Sequence, residues 1–223
     1  MIQSNEVRWF FESVPDTLVQ WFQRKGLDLM ASKSSRADFY LPFSSNKGLS
    51  IKLREGHLEI KKLLKQSGKR KFVPGNIEGK VQHWVKWRFS LDEQDALAKS
   101  IIVEKKYDWI EVYKNRIGFK YQFDLKGKLL GEKGIEELIP EGCQVELTRL
   151  KIKDKEFFSF GLESFSETEH FPQYFNKAIK LVAKELAETN ELIQPLIPPI
   201  QLPAEMCMSY PEFLEHISFG IML

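Results

Sequence analysis

The stretch "GLSIKLREGHLEIKKLLKQSGKRK", Gly48–Lys71, decides how the chain is read. In a β-strand successive side chains point to opposite faces, so residues two apart share a face. On that rule Lys52 and Arg54 share one face of "LSIKLRE", while Ile51 and Leu53 share the other. In "HLEIKKL", Glu59 and Lys61 lie opposite Leu58 and Ile60. Two consecutive strands therefore each carry one apolar and one charged face.

Working outward, the same alternation recurs. "EVRWFF" sets Glu6, Arg8 and Phe10 against Val7, Trp9 and Phe11; "QHWVKWRFS" sets Trp84, Lys86 and Arg88 against Val85, Trp87 and Phe89. "QVELTRL" adds Glu146 and Thr148 on one face. Further strands are expected at "ADFYLPF", ended by Pro42, at "SIIVEKKYDWIEVYK", "IGFKYQFDL" and "FFSFGLESF". Each run is short and bounded by Gly, Pro, Asn or Ser, which is a hairpin pattern rather than a helical one.

Helical spacing is confined to a few places. "VPDTLVQWFQRKG" puts Leu18, Trp21 and Phe22 on one side, with Pro15 in the first turn and Gly26 as a stop. "LDEQDALAKSI" predicts a short helix with Asp92 as cap and Glu93 and Asp95 in its first turn. "FPQYFNKAIKLVAKELAETN" is the clearest helix, with Phe175, Ile179, Val182 and Leu186 on one stripe. The Pro-rich "LIQPLIPPIQLPAEM" excludes helix, and "YPEFLEHI" offers one helical turn. About eight antiparallel strands with helices after the first strand, mid-chain and near the end make an α+β domain over 1–190, with a Pro-rich extension, 191–223, lying along it. That apolar extension either covers a sheet edge of its own subunit or reaches across a homodimer.

Composition narrows the function classes. Lys+Arg 33 against Asp+Glu 31 leaves a formal net charge of +2, so any electrostatic role must come from local arrangement. Cys143 and Cys207 are too few for a disulfide framework, no apolar run approaches a membrane span, and "MIQSNEVRWFF" lacks the apolar core of a signal peptide. A cytoplasmic protein with no membrane partner is the expectation. His57, His83, His170 and His216 fall on different elements without ligand spacing, and there is no Gly-rich phosphate loop. The "KQSGKRK" cluster reads as a solvated loop tip. Without net basic charge or an RNA-binding signature, nucleic acid ranks last among partners, although Trp84 and Trp87 flanking Lys86 would suit base stacking.

A sheet with its core on one side and water on the other produces the same alternation. Charge sign argues for more. Lys52, Arg54, Lys61, Lys86 and Arg88 fall on three consecutive strands, and like charges across neighbouring strands are unfavourable unless an anion answers them.

The order "EVRWFF", "DFYLP", "GLSIKLREGHLEIKKL", "VKWRFSL", "IIVEKKYDWIEVY", "CQVELTRLKI", "FFSFGLESF" resembles the CYTH-like triphosphate tunnel metalloenzymes, over roughly residues 2–186. The resemblance rests on the order and spacing of strands. It implies eight antiparallel strands closing into a tunnel-like barrel, with basic residues holding a triphosphate and glutamates holding Mg²⁺ or Mn²⁺. Carried over residue by residue, it implies Arg8, Lys52, Arg54, Lys61, Lys86, Arg88, Lys105 and Lys106 as ligand-binding positions, and Glu6, Glu146 and Glu163 as metal ligands. The family's Glu-x-Glu-x-Lys signature is altered here. Glu6 remains, Arg8 stands where the second carboxylate is expected, and Phe10 where the lysine belongs. "GLES" likewise offers Glu163 but Gly161 two residues earlier.

Two functions then compete: a cationic tunnel binding a triphosphate, nucleotide or polyphosphate with catalysis weakened or lost, and a metal-dependent triphosphatase. A half-solvated sheet serving as an interaction or RNA-binding module is the third. If the cations are unpaired inside the barrel, replacing Lys52, Arg54 and Arg88 together by Met should abolish binding and leave the fold intact.

Overall fold

The computed structural model describes residues 1–32, 35–42, 47–72, 76–91, 95–104, 106, 108–193 and 199–218. In chain order the strands are β1 (Ile2–Phe11), β2 (Ser35–Leu41), β3 (Leu49–Arg54), β4 (His57–Gln66), β5 (Arg70–Phe72), β6 (Asn76–Gly79), β7 (Gln82–Ser90), β8 (Ile110–Phe123), β9 (Leu129–Gly134), β10 (Glu141–Ile152), β11 (Lys155–Ser166) and β12 (Gln201–Leu202). The helices are α1 (Asp16–Arg24), α2 (Ala96–Ile102), α3 (Phe171–Ile193) and α4 (Tyr210–Ser218). Eight strands in the order β10–β11–β1–β7–β4–β3–β2–β8 close through a β10–β8 pairing into an antiparallel barrel, and β9 extends β8 outside the ring. The fold is the expected α+β antiparallel barrel with flanking helices.

Closure is possible because the alternation is kept in register around the ring. Lys52 faces Glu59, Glu59 faces Arg88, and Lys61 faces Lys86. Farther round, Glu6 faces Glu163, and Glu163 faces Gln144. A slip of one residue in any strand would turn its charged face outward.

The apolar face of β1, β8, β10 and β11 points out of the barrel and forms the main core with α1 and α3. Val7, Trp9, Val145, Leu147, Phe119, Phe160 and Leu162 meet Leu18, Trp21 and Phe22 of α1 and the α3 stripe Phe175, Ile179, Val182 and Leu186. Burying each large apolar side chain contributes about 1.5–3 kcal/mol, so the α3 stripe alone fixes that helix to the wall. Gly26, with φ +74°, ends α1 as the sequence indicates.

Two strand-level expectations change. "SIIVEKK" is not strand: α2 runs through Ile102, and the next strand starts at Ile110. That strand, β8, then continues without a break through "YKNRIGFKYQF", where two strands were expected. Asp95 is the α2 cap, its Oδ1 accepting from the Leu97 N–H (2.8 Å) and the Ala98 N–H (3.3 Å); Asp92 and Glu93 lie outside the described residues.

The described part of the C-terminal extension folds back on its own chain. β12 pairs in parallel with β6, the Met208 N–H donates to the Arg8 carbonyl at 3.0 Å, and α4, two turns rather than one, seats Phe213 on Phe10 with ring centroids 4.1 Å apart. Pro195 and Pro198 lie outside the described residues.

The barrel interior is divided along its axis. Phe10, Tyr40, Val112, Leu150, Ile152 and Phe157 point inward at one end and pack with Met208, Phe213 and Leu214 from the extension. This apolar plug is the floor; the charged residues of the same strands lie above it. Among the described residues no helix is long and apolar enough to cross a membrane.

Candidate functional site: a charged chamber inside the barrel

Above the floor lies a chamber of about 370 Å³. Its walls carry ten lysines and arginines (8, 36, 52, 54, 61, 86, 88, 114, 116 and 120) against six glutamates (6, 55, 59, 136, 146 and 163). Of the sequence-predicted ligand positions, Arg8, Lys52, Arg54, Lys61, Lys86 and Arg88 are brought together here, with the three predicted metal ligands Glu6, Glu146 and Glu163. Lys106 is not: it is an exposed residue between α2 and β8 whose Nζ pairs with Glu104 at 2.7 Å. Lys105 lies outside the described residues. The cations that this part of the chain does send inward are Lys114 and Arg116, on β8 itself.

Two ion-pair clusters organise the chamber. In the first, Arg8 Nε donates to Glu6 Oε1 at 2.9 Å, and its Nη1 lies 2.9 Å from Glu146 Oε1 and donates to Ser159 Oγ at 3.2 Å. Lys61 Nζ bridges Glu163 Oε1 (2.8 Å) and Glu6 Oε2 (3.3 Å), and Arg116 Nη1 lies 3.7 Å from Glu146. Burial alone would raise the carboxyl pKa values, but the surrounding cations outweigh it. Glu146 is held at about 2 by Arg8, Arg116, Lys114 and Arg36, and Glu163 well below the carboxylate range by Lys61 and Lys86.

The second cluster surrounds Asp38, fully buried, and Glu59, 2% exposed. Lys114 Nζ lies 2.9 Å from Asp38 Oδ2 and donates to Tyr40 Oη at 2.7 Å. Lys52 Nζ is 3.0 Å from Glu59 and 3.6 Å from Asp38; Arg54 Nη2 donates to Glu59 Oε1 at 2.6 Å, and Arg88 Nε is 3.8 Å away. Burial dominates at both lysines. Even with Asp38 opposing it, Lys52 and Lys114 are each lowered to about 8, helped down by Arg54 and Arg36 respectively. Glu59 is held at about 2 because Lys52, Arg54 and Lys86 overcome its burial.

Tyr210, at the start of α4, closes the chamber from below. Its ring stacks on Tyr40 at 5.4 Å and lies 3.8 Å under the Lys114 ammonium and 5.2 Å from the Arg8 guanidinium. The ring face accepts both cations electrostatically.

Lys52, Arg54 and Arg88 are therefore paired, contrary to the expectation that they can be removed together without harm. Replacing all three by Met would strand Glu59 in the wall, and a buried charge stripped of its partners is costly. The donor set also suits a divalent cation poorly. Arg8 lies between Glu6 and Glu146, and Lys61 between Glu6 and Glu163, so each carboxylate already faces a fixed positive charge. Among the described residues no three His, Cys, Asp or Glu side chains converge as a metal group.

No protein-family model and no curated protein matches this sequence.

Sequence reasoning did not single out Arg36, Asp38, Lys114, Arg116 or Tyr210. Asp38 and Tyr40 sit in an aromatic run, and Lys114 and Arg116 sit where a turn was expected. Strict period-two counting through an unbroken β8 would have put Lys114, Arg116 and Lys120 on one face.

Proposed function

We propose that the barrel is a divergent CYTH-like receptor that binds a phosphate-containing polyanion such as triphosphate, a nucleotide or polyphosphate, without a metal ion and without hydrolysing it. The observation that carries this reading is the excess of lysine and arginine over carboxylate on the walls of one chamber. Taking so many cations out of bulk water is unfavourable unless counter-charge answers them, and the six wall glutamates and Asp38 answer only part. Guanidinium and ammonium donors on several strands would surround a phosphate chain with charge-assisted hydrogen bonds.

Arg8 favours the metal-free form over the triphosphatase alternative. Where a carboxylate would ligate Mg²⁺ or Mn²⁺, a guanidinium instead neutralises Glu6 and Glu146 and offers donors to an anion. One chain supplies the whole chamber and its floor, so the reading needs no second copy.

Calorimetric titration with inorganic triphosphate, with and without Mg²⁺, while phosphate release is followed, tests the proposal. Binding that is independent of Mg²⁺, weakens with salt and releases no phosphate is the expected result. Metal-dependent turnover would instead establish the hydrolase, and no binding would remove the receptor reading.

A further inference from the structure

A second cavity, of about 550 Å³, opens from the charged chamber and shares Lys86, Lys120, Leu138, Gln144 and Glu163 with it. Its other walls carry an apolar ledge of Ile2, Ile139, Pro140, Phe165 and Phe171, edged by polar residues that include Glu167 and Glu169. This apolar ledge is built into the barrel rim. A Cβ at Gly142 would lie 2.8 Å from Ile139 Cδ1 and 3.3 Å from Phe165 Cζ, so the missing side chain lets both settle against β10.

The two lysines at the junction differ from those deeper in. Among the described residues neither Lys86 nor Lys120 is ion-paired to a carboxylate; Lys120 Nζ donates only to the Glu137 carbonyl, at 2.5 Å. Cations without a close carboxylate partner among the described residues thus stand at the step from charged wall to apolar wall. A bare polyphosphate would satisfy these lysines and leave the ledge wetted, whereas a phosphate ester would fill both.

We propose that the ledge is the subsite for an aromatic group carried by the phosphate ligand, so that the chamber takes an organic triphosphate of the nucleotide kind in preference to inorganic polyphosphate. This rests on the receptor reading above. The phosphates lie between the cationic strands, the last of them meets Lys86 and Lys120, and the attached ring stacks on Phe165 beside Ile139.

Comparative titration with ATP and inorganic triphosphate tests it. Inorganic triphosphate carries the greater negative charge, so electrostatics alone would favour it. The expected result is the reverse: ATP binds roughly tenfold more tightly, the scale of one stacked base. Phe165→Ala brings the two probes to within about twofold of each other by lowering ATP affinity alone. Ile139→Ala, in the loop before β10, lowers ATP affinity in the same direction and serves if Phe165→Ala does not fold, as judged by circular dichroism. If triphosphate binds but ATP has no advantage, or if the folded variants leave the ratio unchanged, the ledge is not a ligand subsite. If neither probe binds the wild-type chain, the receptor reading itself fails.

Discussion

Arg8 and Gly161 face each other across the β1–β11 ladder, and a Cβ added at Gly161 would lie 2.6 Å from Arg8 Cζ. The guanidinium occupies the space a side chain at 161 would need. Glu146 flanks Gly161 from β10 and closes the ion pair with Arg8 at 2.9 Å. The two departures from the expected carboxylate pattern, an arginine in β1 and a glycine in β11, are thus one steric and electrostatic arrangement. Gly161→Ala should cost about 1–3 kcal/mol through overpacking against a side chain held at both ends, measurable as a lower denaturation midpoint. A midpoint equal to wild type would show that Arg8 can swing clear.

Arg8→Glu tests whether the guanidinium stands in for a metal. It leaves Glu6 and Glu146 without their shared partner and adds a carboxylate beside them. A loss of about 3–5 kcal/mol is expected without divalent ions, recovered in part by millimolar Mg²⁺ or Mn²⁺. The wild-type melting temperature should not respond to either ion. A wild-type rise on adding Mg²⁺ would mean that the carboxylates remain available to metal.

Lys61 and Lys86 are cross-strand neighbours with opposite obligations. Lys61 holds Glu6 and Glu163, while Lys86 has no ion pair among the described residues. Lys61→Met should lower stability by about 3–5 kcal/mol, because two carboxylates would then face each other in the wall. Lys86→Met should cost clearly less than that, because Lys86 makes no close ion pair and only helps from a distance to hold Glu59 and Glu163 ionised, and it should weaken triphosphate binding. Parallel thermal melts and titrations separate the two; equal stability losses would contradict this division of labour.

Acid and base act on different residues. Glu59 and Glu146 titrate at about 2 when folded and at an ordinary value of 4.5 when unfolded, so their contribution is present above that value and lost as pH falls toward 2. Each contributes on the order of 3 kcal/mol, and an acid melt should show the loss between about pH 5 and 2. Lys52 and Lys114, at about 8 when folded against 10.5 unfolded, weigh against folding at neutral pH and cease to do so as pH rises between those values. Losing their charge removes attraction for an anion. Triphosphate affinity should fall roughly tenfold or more between pH 7 and pH 9; a flat profile would show that neither lysine faces the ligand.

Phe213 anchors the floor. It stacks on Phe10 at 4.1 Å and meets Phe157 edge-on at 5.3 Å, fully buried. Phe213→Ala should cost about 3–5 kcal/mol and uncover the inward rings of the barrel, which dye binding would detect. A cost below about 1 kcal/mol would mean that α4 is only loosely seated.

The charged walls were legible in the sequence wherever a strand kept strict alternation and nothing else competed for its residues. Glu6, Arg8, Lys52, Arg54, Lys61, Lys86, Arg88 and Glu146 follow from that rule and line one cavity, together with Glu163, which the resemblance supplied. Two kinds of site residue escaped it. Lys114 and Arg116 sit beside Asn115, and "KNR" looks like a turn unless the pairing of β8 to both β2 and β10 is known. Tyr210 belongs to the chamber only because the extension folds beneath it, and Asp38 is buried beside it because β2 pairs with β8 and meets Lys114 there, both contacts between residues far apart in the chain. Lys105 and Lys106 were chosen for their resemblance to a basic run, but α2 takes up the preceding residues and the strand starts later. Phe10 shares a face with charged residues because it lines the floor, and Tyr40 stands where the floor meets the chamber.

The apolar floor also limits how a long molecule can use the barrel. Among the described residues, Phe213, Leu214 and Tyr210 fill the lower end, so that the interior is a cup with its mouth at the other rim. A polymer cannot be threaded through it, and a chain too stiff to double back cannot be gripped at mid-length. Only a free terminus fits, so among polymeric phosphates the barrel should count ends rather than length.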